Sequence, residues 1–147
     1  MKKVYVAATL GDYHLNFENS IDGMYENVAK AIESAEKNWH RDRYSKRTCR
    51  EVLYFGTIVY EFNVNDYPIK EPTILWYKNI DVEKFLRHHP CDAEIEIWLK
   101  TLNDVIEYSA TIQPSYFKDR SVIKKHLGDM EGAEKDLKMY KQLIKKQ

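Results

Sequence analysis

Residues 51–65, EVLYFGTIVYEFNVN, form the longest run of β-branched and aromatic residues in the chain and contain a single glycine. Such content favours strand over helix. Alternate side chains of a strand point to opposite faces. Val52, Tyr54, Gly56, Ile58, Tyr60, Phe62 and Val64 share one face, which is apolar to its end. Leu53, Phe55, Thr57, Val59, Glu61, Asn63 and Asn65 share the other, which turns polar after Val59. The pattern predicts a central strand, covered on both faces in its first half and on one face in its second. Gly56 predicts a bulge or a close backbone approach.

Working outward, Lys3–Leu10 alternates as a first strand, with Val4, Val6, Ala8 and Leu10 on one face. Its small alanines would let a helix lie close. Residues 11–18 are polar and form a turn or extend that strand. Ser20 or Asp22 is the expected N-cap of a helix running to about Asn38, with Tyr25, Val28, Ile32 and Ala35 on its apolar face. After the central strand, Asp66-Tyr67-Pro68 and Glu71-Pro72 punctuate the chain. Thr73–Tyr77 is a short third strand or an edge.

From Asp81 the periodicity turns helical. Asp81 is a suitable N-cap for a short helix, Val82–His88, stopped by Pro90. Asp92 opens the clearest helix, whose face is Ile95, Trp98, Leu99, Leu102, Val105, Ile106 and Ser109. Pro114 is expected to end that unit. Ser115–His126 and Gly132–Lys146 follow as two more helices, the last repeating at Ala133, Leu137, Tyr140 and Ile144. Leu127-Gly128-Asp129 between them predicts a tight turn with glycine as the left-handed C-cap. The fold class is therefore α+β: a small N-terminal sheet of about three strands with one packed helix, followed by a helical C-terminal half. A length of 147 residues fits one domain. Residues 1–79 and 80–147 are the alternative subdivision.

Two local patterns resemble known families. Residues 116–137, YFKDRSVIKKHLGDMEGAEKDL, resemble a single tetratricopeptide repeat. Phe117 and Ser121 take the aromatic and small positions of its first helix. Gly128, Met130, Ala133 and Leu137 take the turn glycine, the following large residue, and the alanine and aromatic positions of the second. Arg120 and Lys124 depart from the pattern, where leucine and tyrosine are usual. No second copy lies 34 residues upstream, so the resemblance implies one helical hairpin and no solenoid. An ordinary helical hairpin with a glycine turn is the alternative. The N-terminal half is similar to small α/β domains of phages and low-GC bacteria, through Lys3-Val4-Tyr5-Val6, Ile21-Asp22-Gly23-Met24-Tyr25 and Tyr60-Glu61-Phe62-Asn63-Val64. That resemblance implies a phage or mobile-element origin and no chemistry.

Net charge is zero, so bulk charge points to neither nucleic acid nor membrane. Charge is nevertheless segregated. Residues 41–50 carry five cations against Asp42, and residues 81–107 seven acids against three cations. The last fifteen residues carry five lysines against two acids. The basic stretch is the strongest functional candidate: Arg41, Arg43, Lys46, Arg47 and Arg50 interleave with Trp39, His40 and Tyr44. Arginines neutralise phosphate or carboxylate, and aromatic rings stack on bases. A solvated loop anchored by its tryptophan is the plain alternative. The acidic segment and basic tail complement each other within one molecule, or support head-to-tail self-association.

Catalytic and metal signatures are weak. His88-His89-Pro90-Cys91-Asp92 has ligand residue types and no second pair, so no metal is expected. Cys49 and Cys91 lack a marked activating neighbour. No glycine-rich phosphate loop is present, and no cofactor is expected. Two cysteines and no leader-like segment suit a reduced compartment, the cytoplasm. No apolar run reaches the roughly 18 residues of a membrane span. The expected function is a non-enzymatic protein-interaction, inhibitor or regulatory role, through the basic loop or a helical face. Its partner would be a protein with an acidic surface, and homo-oligomers are allowed. The alternatives are a nucleic-acid-binding module using the same loop and a small hydrolase in which two or more of Tyr13, His14, His40, Tyr54 and Glu61 converge.

Overall fold

A computed structural model describes residues 2–12, 20–39, 44–45, 52–64, 72–79, 81–87 and 92–146. It divides the chain into two compact units, Met1–Ile80 and Asp81–Gln147. Strands lie in the first and helices predominate in the second, so the α+β expectation holds.

In the first unit, β1 (Lys3–Asp12), β2 (Ser20–Tyr25), β4 (Val52–Asn63) and β5 (Thr73–Asn79), with the two-residue β3 (Tyr44–Ser45), form one antiparallel sheet. The order is β2-β1-β4-β3, and β5 also pairs with β4. Within the stretch 51–65, Val52–Asn63 is thus the central strand, as its composition demands. The sheet is wider than the three strands expected, because β2 and β3 add to it.

β2 corrects the helix start. Ser20 and Asp22 are good capping residue types, but Ser20–Tyr25 pairs antiparallel with β1, Tyr5 opposite Tyr25 and Thr9 opposite Ser20. The ladder bulges between Ala7 and Ala8, and Thr9 Oγ1 donates to Asp22 Oδ2 at 2.5 Å. The cap is Asn27, whose Oδ1 accepts from the amides of Ala29 at 2.8 Å and Lys30 at 3.3 Å. Helix α1 then spans Val28–Trp39. Ala31 and Ala35 pack with Ala7 and Val59, all four fully buried, and Tyr5, Tyr25, Ile32 and Trp76 close round them. Four short side chains meeting across the layer let the helix backbone approach the sheet. Tyr25 keeps its place in this core, but from a strand. Val28, expected on the apolar face, is exposed. The opposite sheet face carries Val6, Ala8, Leu10 and Ile58, also buried.

Where burial along β4 is described, Thr57, Ile58 and Val59 are buried, as expected of a strand covered on both faces. Tyr60, Glu61 and Phe62 are all half-buried and Asn63 is exposed, so the expected one-sided covering of the second half is blurred. Gly56 combines both roles predicted for it. The β1–β4 register slips beside it, from Leu10–Gly56 to Gly11–Tyr54. A Cβ there would also lie 2.8 Å from the Lys78 carbonyl oxygen and 3.1 Å from Asn79 Cα. Both obstacles are backbone of β5, so Gly56→Ala must push that strand away. The expected loss is about 1–3 kcal/mol, read by urea unfolding. A variant as stable as wild type would contradict the tight β4–β5 approach.

In the second unit, Asp81 caps α2 (Val82–Leu86), its Oδ1 accepting from Glu83 N at 2.9 Å and Lys84 N at 3.2 Å. Helix α3 spans Asp92–Tyr108. Ile95, Trp98, Leu102 and Val105 of its expected face are buried. Pro114 does not close this part of the chain; it opens α4 (Pro114–His126) at the first turn. There the missing amide has no helical partner to lose. Gly128 is left-handed at φ 91°. Gly128 N donates to Lys125 O and Asp129 N to Lys124 O, the Schellman pattern. Helix α5 (Met130–Lys145) starts earlier than Gly132, because Asp129 caps it by accepting from Gly132 N at 2.9 Å. Among the described residues no helix is long and apolar enough to cross a membrane.

Candidate interaction surfaces

Arg41, Arg43, Lys46, Arg47 and Arg50 lie outside the described residues. Tyr44 is placed in β3, opposite Leu53. Trp39 is the last residue of α1 and is partly buried. Lys78 Nζ sits 3.8 Å above its ring centroid. The tryptophan therefore anchors α1 to β5, and one ring face is already covered by a cation.

The residues of the hydrolase reading are not brought together by what is described. Tyr13, His14 and His40 lie outside the described residues, and of Tyr54 only its place in β4 is defined. Glu61 accepts from Lys3 Nζ at 3.3 Å across the β1–β4 ladder. Cys49 and the segment His88–Cys91 also lie outside. An open groove of about 420 Å³ runs between β2 and α1, lined by Asp22, Tyr25, Lys30, Glu33, Ser34, Lys37 and Asn38. Two lysines and two carboxylates line it with one serine, a polar surface of mixed charge.

Exposed apolar groups lie elsewhere. Ile21 and Met24 on the outer strand β2 are each 67% exposed. The more regular set is on α5. Met130, Leu137 and Ile144 are 57%, 38% and 42% exposed, and recur every seven residues. Seven residues are close to two helical turns, so the three lie in line, about 10 Å apart. The sequence repeat at Ala133, Leu137, Tyr140 and Ile144 is thus split. Ala133 is buried and Tyr140 half-buried, whereas Leu137 and Ile144 face solvent.

The split arises because a carboxylate occupies the inner line of α5. Asp136 is 4% exposed. Arg120 Nε and Nη2 from α4 donate to its two oxygens at 2.8 and 2.7 Å, and Lys124 Nζ lies at 3.0 Å. Arg120 Nη1 also donates to Asn103 Oδ1 of α3 at 3.1 Å. Burial pushes the Asp136 carboxyl up, but these hydrogen bonds and charges outweigh it and hold it below the usual carboxylate range. Ser121 Oγ donates to Ala133 O at 2.7 Å in the same seam. With α5 fixed by its inner line, the outer line is presented outward.

Glu131 and Glu134 flank that outer line near its start, and Lys138, Lys141 and Lys145 near its end; all five are exposed. Comparisons with protein-family models, curated proteins and solved structures find no match to this chain.

Proposed function

We propose that this chain is a non-enzymatic protein-interaction protein that binds through the outer face of α5. The carrying observation is the line of Met130, Leu137 and Ile144, each more than a third exposed on a helix whose adjoining line is held by a buried ion cluster. Exposed apolar rows rimmed by charge are the usual form of a helix-mediated contact. Nucleic acid is the lesser reading, because Lys78 already occupies one face of the loop's first aromatic ring.

The test is affinity capture with the full chain, comparing wild type with Leu137→Glu/Ile144→Glu and with Arg43→Glu/Arg47→Glu. Proteins retained by wild type are expected to be lost with the α5 variant. Equal retention by the α5 variant, with loss in the loop variant, would move the binding surface to the basic stretch.

A further inference from the structure

We propose that the outer face of α5 is covered by the same face of a second copy of this chain, the two helices antiparallel about a two-fold axis at Leu137. This rests on the reading of α5 as the binding surface and names its occupant. An axis through Leu137 sets each Leu137 against its counterpart. Met130 precedes it by seven residues and Ile144 follows by seven, so each Met130 meets Ile144 of the other copy. The apolar line is thereby closed along its whole length, about 21 Å.

Charge selects both the partner and the direction. Glu134 follows Met130 by four residues and Lys141 follows Leu137 by four, so both lie on the same flank of the apolar line. In the antiparallel arrangement Glu134 faces Lys141 of the second copy, and symmetry makes the pair twice. In a parallel arrangement this flank of one copy would lie across the seam from the opposite flank of the other, so Glu134 and Lys141 would not meet and neither pair would form. Glu131, which also pairs with Lys135 at 3.6 Å, and Lys145 extend the same polarity towards the two helix ends, whereas the two Lys138 lie on that flank beside the axis. A partner of one charge sign would be attracted at one end of the face and repelled at the other. A reversed copy matches both ends. Three apolar side chains per copy make a small contact, so the dimer forms and dissociates with concentration.

Sedimentation equilibrium of the full chain between about 1 μM and 1 mM covers weak contacts of this kind. Wild type is expected to rise towards twice the monomer mass. Leu137→Glu sets two carboxylates together at the axis and is expected to weaken association by about a hundredfold or more. Glu134→Lys alone and Lys141→Glu alone each turn two attractions into two repulsions, weakening it by about tenfold. The double variant Glu134→Lys/Lys141→Glu restores both pairs and is expected to return within about threefold of wild type. Both single changes are at exposed positions, so they remain informative if Leu137→Glu fails to fold. A wild type that stays monomeric overturns the proposal. So do single swaps that change nothing, as a parallel pair or another face would give, and a double variant no better than the singles. A monomeric wild type whose captured proteins still depend on Leu137 and Ile144 would leave the binding face standing without self-association. Loss of both dependences would remove the two together.

Discussion

Replacing Trp98 with alanine is expected to remove about 3–5 kcal/mol of stability. The side chain is fully buried on α3, and its ring meets Phe85 of α2 edge-on, with centroids 4.6 Å apart and planes at 87°. Edge-to-face contact adds to the area term, because the positive rim of one ring meets the negative face of the other. Truncation removes the whole indole and leaves a void that neighbours fill only in part. Helix α2 is five residues long, too short to persist without packing. Its other buried residue besides Phe85 is Val82, so the loss should first appear as early amide exchange in 82–86. A domain stability of about 5–15 kcal/mol makes this a large fraction of the total. Trp98→Phe keeps a ring at the site and should recover more than half of the loss. Urea unfolding by far-ultraviolet circular dichroism measures both. A Trp98→Ala midpoint close to wild type would contradict a tightly packed α2–α3 contact.

The sequence was most legible where structure is decided locally. The Asp81 cap, the face of α3 and the left-handed Gly128 each depend on residues within a turn or two of one another. β4 was readable because 12 residues of strand leave a long β-branched and aromatic record. The segment 20–28 was not. Met24, Tyr25, Val28, Ile32 and Ala35 have helical spacing, and Ser20 and Asp22 are capping types, so these signals agreed on an early helix start over the later one offered by Asn27. The ladder to β1 decided otherwise, and its partners lie 11 to 20 residues back in the chain. The bulge at Ala7–Ala8 hides the alternation further, by putting one extra residue on the β2 side.

The candidate face was hidden for a related reason. Apolar spacing on α5 identifies a stripe, but not which part of it turns towards α4. Asp136 looks like a surface residue in the sequence, yet it takes the inner line, and Leu137 beside it is displaced outward. A signal for this was present. Arg120 and Lys124 are four residues apart on α4, at the two positions that depart from the repeat-like pattern, and both hold Asp136. Two cations at positions of a helical hairpin where leucine and tyrosine are usual are expected to need an acid on the facing helix, because Lys and Arg are seldom buried unpaired. The basic stretch at 41–50 was conspicuous through composition alone, which marks charge without fixing geometry.

Asp136→Ala is the second large effect, with an expected loss of about 2–4 kcal/mol at pH 7. Removing one member of a buried ion cluster is costlier than the cluster's net worth, because the remaining charges lose their counterion. Here two are stranded: the Arg120 side chain is 17% exposed and that of Lys124 20% exposed. Some relief comes from water reaching them and from Asn103, which still accepts from Arg120. The same cluster gives the second unit an acid-sensitive term. The folded carboxyl lies below its ordinary value of 3.8. Its contribution is therefore complete above that value, and is lost as pH falls through the lower folded value. The difference between wild type and Asp136→Ala should accordingly be constant from about pH 6 to 7 and shrink below about pH 4. Asp136→Asn keeps the shape but turns an amide NH2 towards donors, so it should lose most of the stability and show the same flattened pH response. The triple change Arg120→Met/Lys124→Met/Asp136→Leu replaces the cluster by apolar groups of similar size. It should be far milder than Asp136→Ala alone, because no charge is stranded. Urea unfolding across pH 3 to 7 separates these cases. An Asp136→Ala variant within about 0.5 kcal/mol of wild type at pH 7 would mean that the cluster contributes no more than a surface ion pair. The orientation of α5, and the outward presentation of Met130, Leu137 and Ile144, would then need another cause.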